Sequence, residues 1–111
     1  MTDLEGIAPS LPAGERFAVR LEVWEALWPF LCSFVLDLVD RELVDAGGYN
    51  EGARVEAAVA VSLASRLDLS LRTGAVARRL ECRAARPLAF TEDELRSLLT
   101  FLRGSRGFAI W

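Results

Sequence analysis

Residues 15–46 read ERFAVRLEVWEALWPFLCSFVLDLVDRELVDA, and the architecture turns on how this stretch is divided. Phe17, Leu21, Trp24, Leu27, Trp28, Leu31, Phe34, Val35, Leu38 and Val39 recur at helical spacing and cover most of the circumference. Glu22, Glu25, Ser33, Asp37, Asp40 and Arg41 trace one narrow polar stripe. The pattern predicts a long apolar helix from about Glu15 to Ala46, too apolar to be a one-sided surface helix and stopped by Gly47-Gly48. Pro29 removes a backbone donor and crowds the preceding turn, so it predicts a kink, or else two helices meeting near Trp28-Pro29. Only 11 residues separate Glu25 from Asp37, whereas a membrane span needs about 20. No membrane span is expected.

Working outward, residues 1–14 hold Gly6, Pro9, Pro12 and Gly14 without usable periodicity and read as an irregular N-terminal arm. Downstream, Asn50 can cap a second helix from Glu51 to about Leu69, whose middle, Ala57 to Ser65, has no charge and permits close packing on more than one side. Between Leu67 and Phe90 two patterns compete. Leu67, Leu69 and Leu71 alternate with polar residues, and Thr73-Gly74 could turn the chain into a short hairpin within 67–90. Residues 74–86 are instead rich in helix formers and poor in β-branched residues, which favours a helix ended by Pro87. Thr91-Glu92-Asp93-Glu94 is a capping box, flanked by Phe90 and Leu95 as a hydrophobic staple. Leu95, Leu98, Leu99 and Leu102 then form a core stripe, with Gly104 as the expected C-cap. The expected fold is mainly α: a small helical bundle in residues 15–111 as a single domain. An α+β fold with one hairpin around 67–90 is the alternative.

The chain has 111 residues, 52% of them hydrophobic and 26% charged, which suits one globular domain. It contains no His, Lys or Gln, and all 13 basic residues are Arg. Ser-His and Cys-His pairs, imidazole metal ligands and Schiff-base or phosphate-loop lysines are therefore excluded. The remaining acid–base candidates are Cys32, Cys82, Tyr49 and two acidic groups, Asp37-Asp40-Asp45 and Glu92-Asp93-Glu94. The first group reads as a self-neutralising surface stripe through the i,i+4 pairs Asp37–Arg41 and Arg41–Asp45, and the second as helix capping. The glycines lack phosphate-loop spacing. No catalytic residue, metal site or cofactor is expected. An acidic start without a signal-like apolar segment, and two cysteines without CxxC spacing, point to the cytoplasm and free thiols.

Charge is unevenly distributed. Residues 1–65 carry 4 Arg against 11 acidic groups, whereas residues 66–86 carry 6 Arg against 2. Arg72, Arg78, Arg79, Arg83 and Arg86 are accordingly the candidates for contacting nucleic acid or another anion. The bland alternative is that this stripe faces acidic residues of the first helix. Gly74 to Glu81 resembles the first helix of helix-turn-helix regulators over under a tenth of the chain. Glu81 stands at the usual turn glycine and Pro87 interrupts the following run, so no family is assigned.

Three Trp and six Phe in so short a chain exceed what a small bundle readily buries, and such surplus apolar surface marks protein interfaces. Trp24, Trp28, Phe30 and Phe34, projecting on several sides of the first helix, and the distant Trp111 are the candidate interface. The expected function is a non-catalytic protein–protein interaction module: a homodimer, or a small subunit, adaptor, regulator or inhibitor within a larger assembly. A small nucleic-acid-binding regulator using the arginines is the alternative.

Overall fold

The computed structural model describes residues 2–35, 37, 39–48, 51–82 and 90–111, with backbone alone at 80–82. In chain order the elements are β1 (Thr2–Gly6), a 3-10 turn (Pro12–Gly14), β2 (Arg16–Val19), α1 (Leu21–Ser33), α2 (Arg41–Gly47), β3 (Ala53–Val55), α3 (Ala57–Arg72), α4 (Ala75–Cys82), α5 (Glu92–Ser105) and β4 (Phe108–Ile110). Helices predominate, as the mainly α expectation has it, but they pack with a small four-stranded sheet, so the fold is α+β and not a bundle of helices alone. Its sheet does not come from the hairpin considered within 67–90. There the chain is helical through Arg72 and again from Ala75.

The sheet is antiparallel in the order β2-β1-β4-β3. Residues 2–6 are therefore an inner strand, not an irregular arm. Thr2 and Leu4 point into the core while Asp3 and Glu5 point away, a period of two too short to detect without its partners. Phe17 and Val19 alternate likewise in β2. Their spacing to Leu21 and Trp24 also fits a helix, which is why the helical reading began too early. The segment between β1 and the 3-10 turn lies along the end of α5, where Ile7 and Ser10 donate backbone N–H bonds to the carbonyls of Gly107 (2.9 Å) and Gly104 (2.8 Å).

The long first helix is divided. α1 runs through Pro29 without interruption and ends at Ser33. α2 starts afresh at Asp40, whose carboxylate accepts the Leu43 N–H at 2.8 Å as an N-cap. Asp40 belonged to the supposed polar stripe, but its side chain closes a helix end instead. The second predicted helix is likewise shortened at its start, because Ala53–Val55 pairs with β4. Asn50 lies outside the described residues, and α3 begins at Ala57. α3 is also less enclosed than expected: Val61 and Leu69 are exposed on its outer side.

The core lies between the inner face of the sheet and the helices. Phe101 of α5 packs against Phe17 and Phe108 at ring-centroid distances of 5.9 and 5.7 Å, joining helix to sheet. Phe30 packs edge-on against Phe34 and Phe90 at 5.2 and 5.1 Å. The capping box of α5 is formed: Glu94 N–H donates to Thr91 Oγ1 (3.3 Å), and Thr91 N–H donates to Glu94 Oε1 (3.0 Å). Phe90, Leu95, Leu98, Leu99 and Leu102 are buried as predicted. The helix runs one residue past Gly104, and Arg106 takes the left-handed cap conformation at φ 51°. No helix among the described residues is long and apolar enough to cross a membrane.

Candidate interaction surface

The aromatic residues singled out from the sequence divide sharply. Trp24, Trp28 and Phe30 are fully buried within this chain, which corrects their assignment to an interface. The Trp24 and Trp28 rings stack at 5.4 Å, and their indole N–H groups donate to the backbone carbonyls of Gly47 and Val44, both at 2.8 Å. A tryptophan is fully buried at low cost only when its N–H finds such an acceptor. Both acceptors belong to α2, which exists because the long helix is broken. Gly47 permits the approach: a Cβ there would lie 2.4 Å from the Trp28 ring. Phe34 is half-buried, with the Arg79 guanidinium 4.8 Å above its ring.

Trp111 differs. It remains 51% exposed, on the face of the sheet opposite the core. Its N–H donates to Asp3 O (2.8 Å) and its carbonyl accepts Asp3 N–H (3.1 Å), so it extends β4 by one residue and shares Asp3's outward direction. Two cross-strand rows follow from the register. Ala18, Asp3, Trp111 and Gly52 form one; Arg16, Glu5, Ala109 and Arg54 form the other. Gly52, at φ +85°, leaves room for the indole, since a Cβ would lie 2.8 Å from the Trp111 ring. Glu5, Arg16, Ala18 and Arg54 are exposed, and Ala109 is covered by the longer side chains around it.

Charge on this face has a direction. The β1 side is acidic, the β3 side carries Arg54, and the strip between them on β4 is apolar. Arg16 Nη2 bridges Asp3 Oδ1 at 2.8 Å, and that hydrogen bond, followed by the Asp3 charge, raises the arginine's pKa. Neither the Glu5 nor the Arg54 side chain makes an ion pair or hydrogen bond among the described residues. Beside Trp111 lies an open depression of about 470 Å³, lined also by Asp3, Glu5, Glu15 and Arg16. A smaller hollow of about 210 Å³ runs past Ile7, Ala109 and Arg54. This face was missed in the sequence because its four strands are short and its rows join opposite ends of the chain.

The described arginines of the stripe, Arg72, Arg78 and Arg79, each have a contact within the chain. Arg72 bridges Asp68 at 3.0 Å, Arg78 donates to Thr73 O at 3.3 Å, and Arg79 donates to Ser33 Oγ at 3.3 Å besides covering Phe34. Arg83 and Arg86 lie outside the described residues. Arg66, which the sequence did not single out, binds Asp37 through both guanidinium nitrogens at 2.6 and 3.1 Å, and these bonds hold the Asp37 carboxyl below its usual pKa. The expected Asp37–Arg41 pairing is not made, because no continuous helix joins the two positions.

Three of the other acidic candidates have structural partners. Asp40 caps α2, Glu92 bridges Arg96 at 3.2 Å, and Glu94 completes the capping box. Burial pushes the Cys32 thiol up to about 12, leaving it un-ionised at neutral pH. Tyr49 and the Cys82 side chain lie outside the described residues. Among the described residues, no group of three or more His, Cys, Asp or Glu side chains could hold a metal ion. Comparison with family models, curated proteins and solved structures found no match to this chain.

Proposed function

We propose that the protein is a non-catalytic protein–protein interaction module that engages its partner through the open face of the sheet. The observation that carries this reading is Trp111: a large aromatic held in fixed geometry by the Asp3 backbone, half in solvent, on a face where neither Glu5 nor Arg54 makes a salt bridge among the described residues. Tryptophan and arginine, backed by rigid structure and set beside a depression, are the side chains that dominate binding energy in protein interfaces. Four of the candidate carboxylates, Asp37, Asp40, Glu92 and Glu94, are occupied in caps and ion pairs, which favours binding over chemistry. The arginines of 72–79 have intrachain partners, so nothing specific favours the nucleic-acid alternative. A free cysteine buried in the core fits a reducing compartment, which supports a cytoplasmic location.

Site-directed photo-crosslinking tests the reading. A photoreactive residue at position 18 or 54, on the open face, should give protein adducts in the native cell. The same group at position 69, exposed on α3, should give few. Equal or weaker yields at 18 and 54 would overturn the assignment of the face.

A further inference from the structure

We infer that the partner on this face is a second copy of the chain, stacked sheet to sheet about a two-fold axis running along β4; this rests on the reading of the open face above. Charge and shape are complementary about such an axis. Glu5, Ala109 and Arg54 occupy one cross-strand row, with Ala109 in the middle. A two-fold axis parallel to the strands and lying between two such faces exchanges left and right while preserving position along the strand. It therefore sets Glu5 of one protomer opposite Arg54 of its partner, and Arg54 opposite Glu5. Glu5, which within the chain faces only the Arg16 charge across the strand pair without an ion-pair contact, and Arg54, which makes no ion pair among the described residues, are each matched, twice, by one operation. Isologous contacts of this kind close the assembly at a dimer.

Trp111 obeys the same symmetry. Its ring leans over Gly52, toward β3. The axis carries that lean to the β1 side of the opposite face, where the depression of about 470 Å³ lies. Each indole thus enters the other protomer's depression, among Asp3, Glu5, Glu15 and Arg16, while the side chains that cover Ala109 meet near the axis. The face spans only four short strands, so the footprint is small and the dimer belongs with weak, reversible associations. Its ion pairs lie near the rim, and added salt weakens it.

Sedimentation equilibrium from micromolar to millimolar concentration tests this, with circular dichroism verifying that each variant is folded. The wild-type chain should dimerise reversibly. Glu5→Arg alone makes the face basic and Arg54→Glu alone makes it acidic, so each should weaken its own dimer roughly tenfold or more through like-charge contact. Mixing the two variants should restore association, because every facing pair is then opposite in charge. A chain that stays monomeric over the whole range, single variants that dimerise as well as wild type, or a mixture that fails to associate would each overturn self-pairing. Crosslinking at positions 18 and 54 to a different protein, with a monomeric chain, overturns the second copy alone; absence of adducts there removes the interaction face as well.

Discussion

Trp24 and Trp28 lie four residues apart on α1, sealed in the core with both indole N–H groups bonded to α2, whereas Trp111 lies half in solvent on the far side of the sheet. The comparison shows why counting aromatics overstates an interface. A chain of this size can bury two tryptophans and a phenylalanine on one helix if a neighbouring element supplies polar acceptors. α2 does so with the carbonyls of Val44 and Gly47. Trp111 has its own fixed geometry, but that comes from strand pairing with Asp3, which leaves the ring itself available.

The comparison can be tested by removing each ring in turn. Trp28→Ala should cost about 3–5 kcal/mol in denaturant unfolding, since a large cavity is added to lost transfer energy. A loss below about 1 kcal/mol would mean that the Trp pair is not the core element described. Gly47→Ala attacks the same pair from the other side. Its new methyl would lie against the Trp28 indole, and the overpacking should cost about 1–3 kcal/mol. A neutral result would show that α2 shifts freely and does not clamp the rings.

Trp111→Ala should behave oppositely. With half of the residue already in water, unfolding stability should fall by only about 1–2 kcal/mol, while self-association is lost. If it unfolds the chain as severely as Trp28→Ala, the two regions are not distinct in kind. The smallest effect belongs to Asp37, in the connection between α1 and α2, where Arg66 holds the carboxyl below its usual pKa. The folded state then binds this proton less tightly than the unfolded chain. The stabilisation is complete above the unfolded value, near pH 4, and fades as pH falls through the lowered folded value. Asp37→Asn should therefore lower the urea midpoint slightly at neutral pH, and the difference should fade as the pH falls below the ordinary carboxylate range. The bridge is solvent-exposed, so the neutral-pH difference should shrink in salt.

What was legible in the sequence follows from how far each interaction reaches. The final helix could be read in detail, because Thr91 and Glu94 exchange bonds across three residues and the leucine stripe repeats within two turns. The division of residues 15–46 was partly written there too, in Asp40 as an N-cap, but a continuous apolar pattern masked it. Gly47-Gly48 was legible as a stop; that Gly47 also makes room for Trp28 was not.

By itself the sequence determined the local elements whose donors and acceptors lie within a turn or two: the capping box, the helical run after Ala57, and the buried stripe of α5. It also restricted the chemistry, since a chain without His or Lys lacks the commonest catalytic partners. Only the tertiary structure decided the sheet, which joins Leu4 to Ile110 and Arg54 to Ala109. Three- to five-residue strands have too few alternating positions to declare themselves, and their hydrogen bonds exist only once distant segments meet. The fate of each aromatic was set in the same way. A Trp is core or surface according to whether folding brings an acceptor and a cover to it, and both lie elsewhere in the chain.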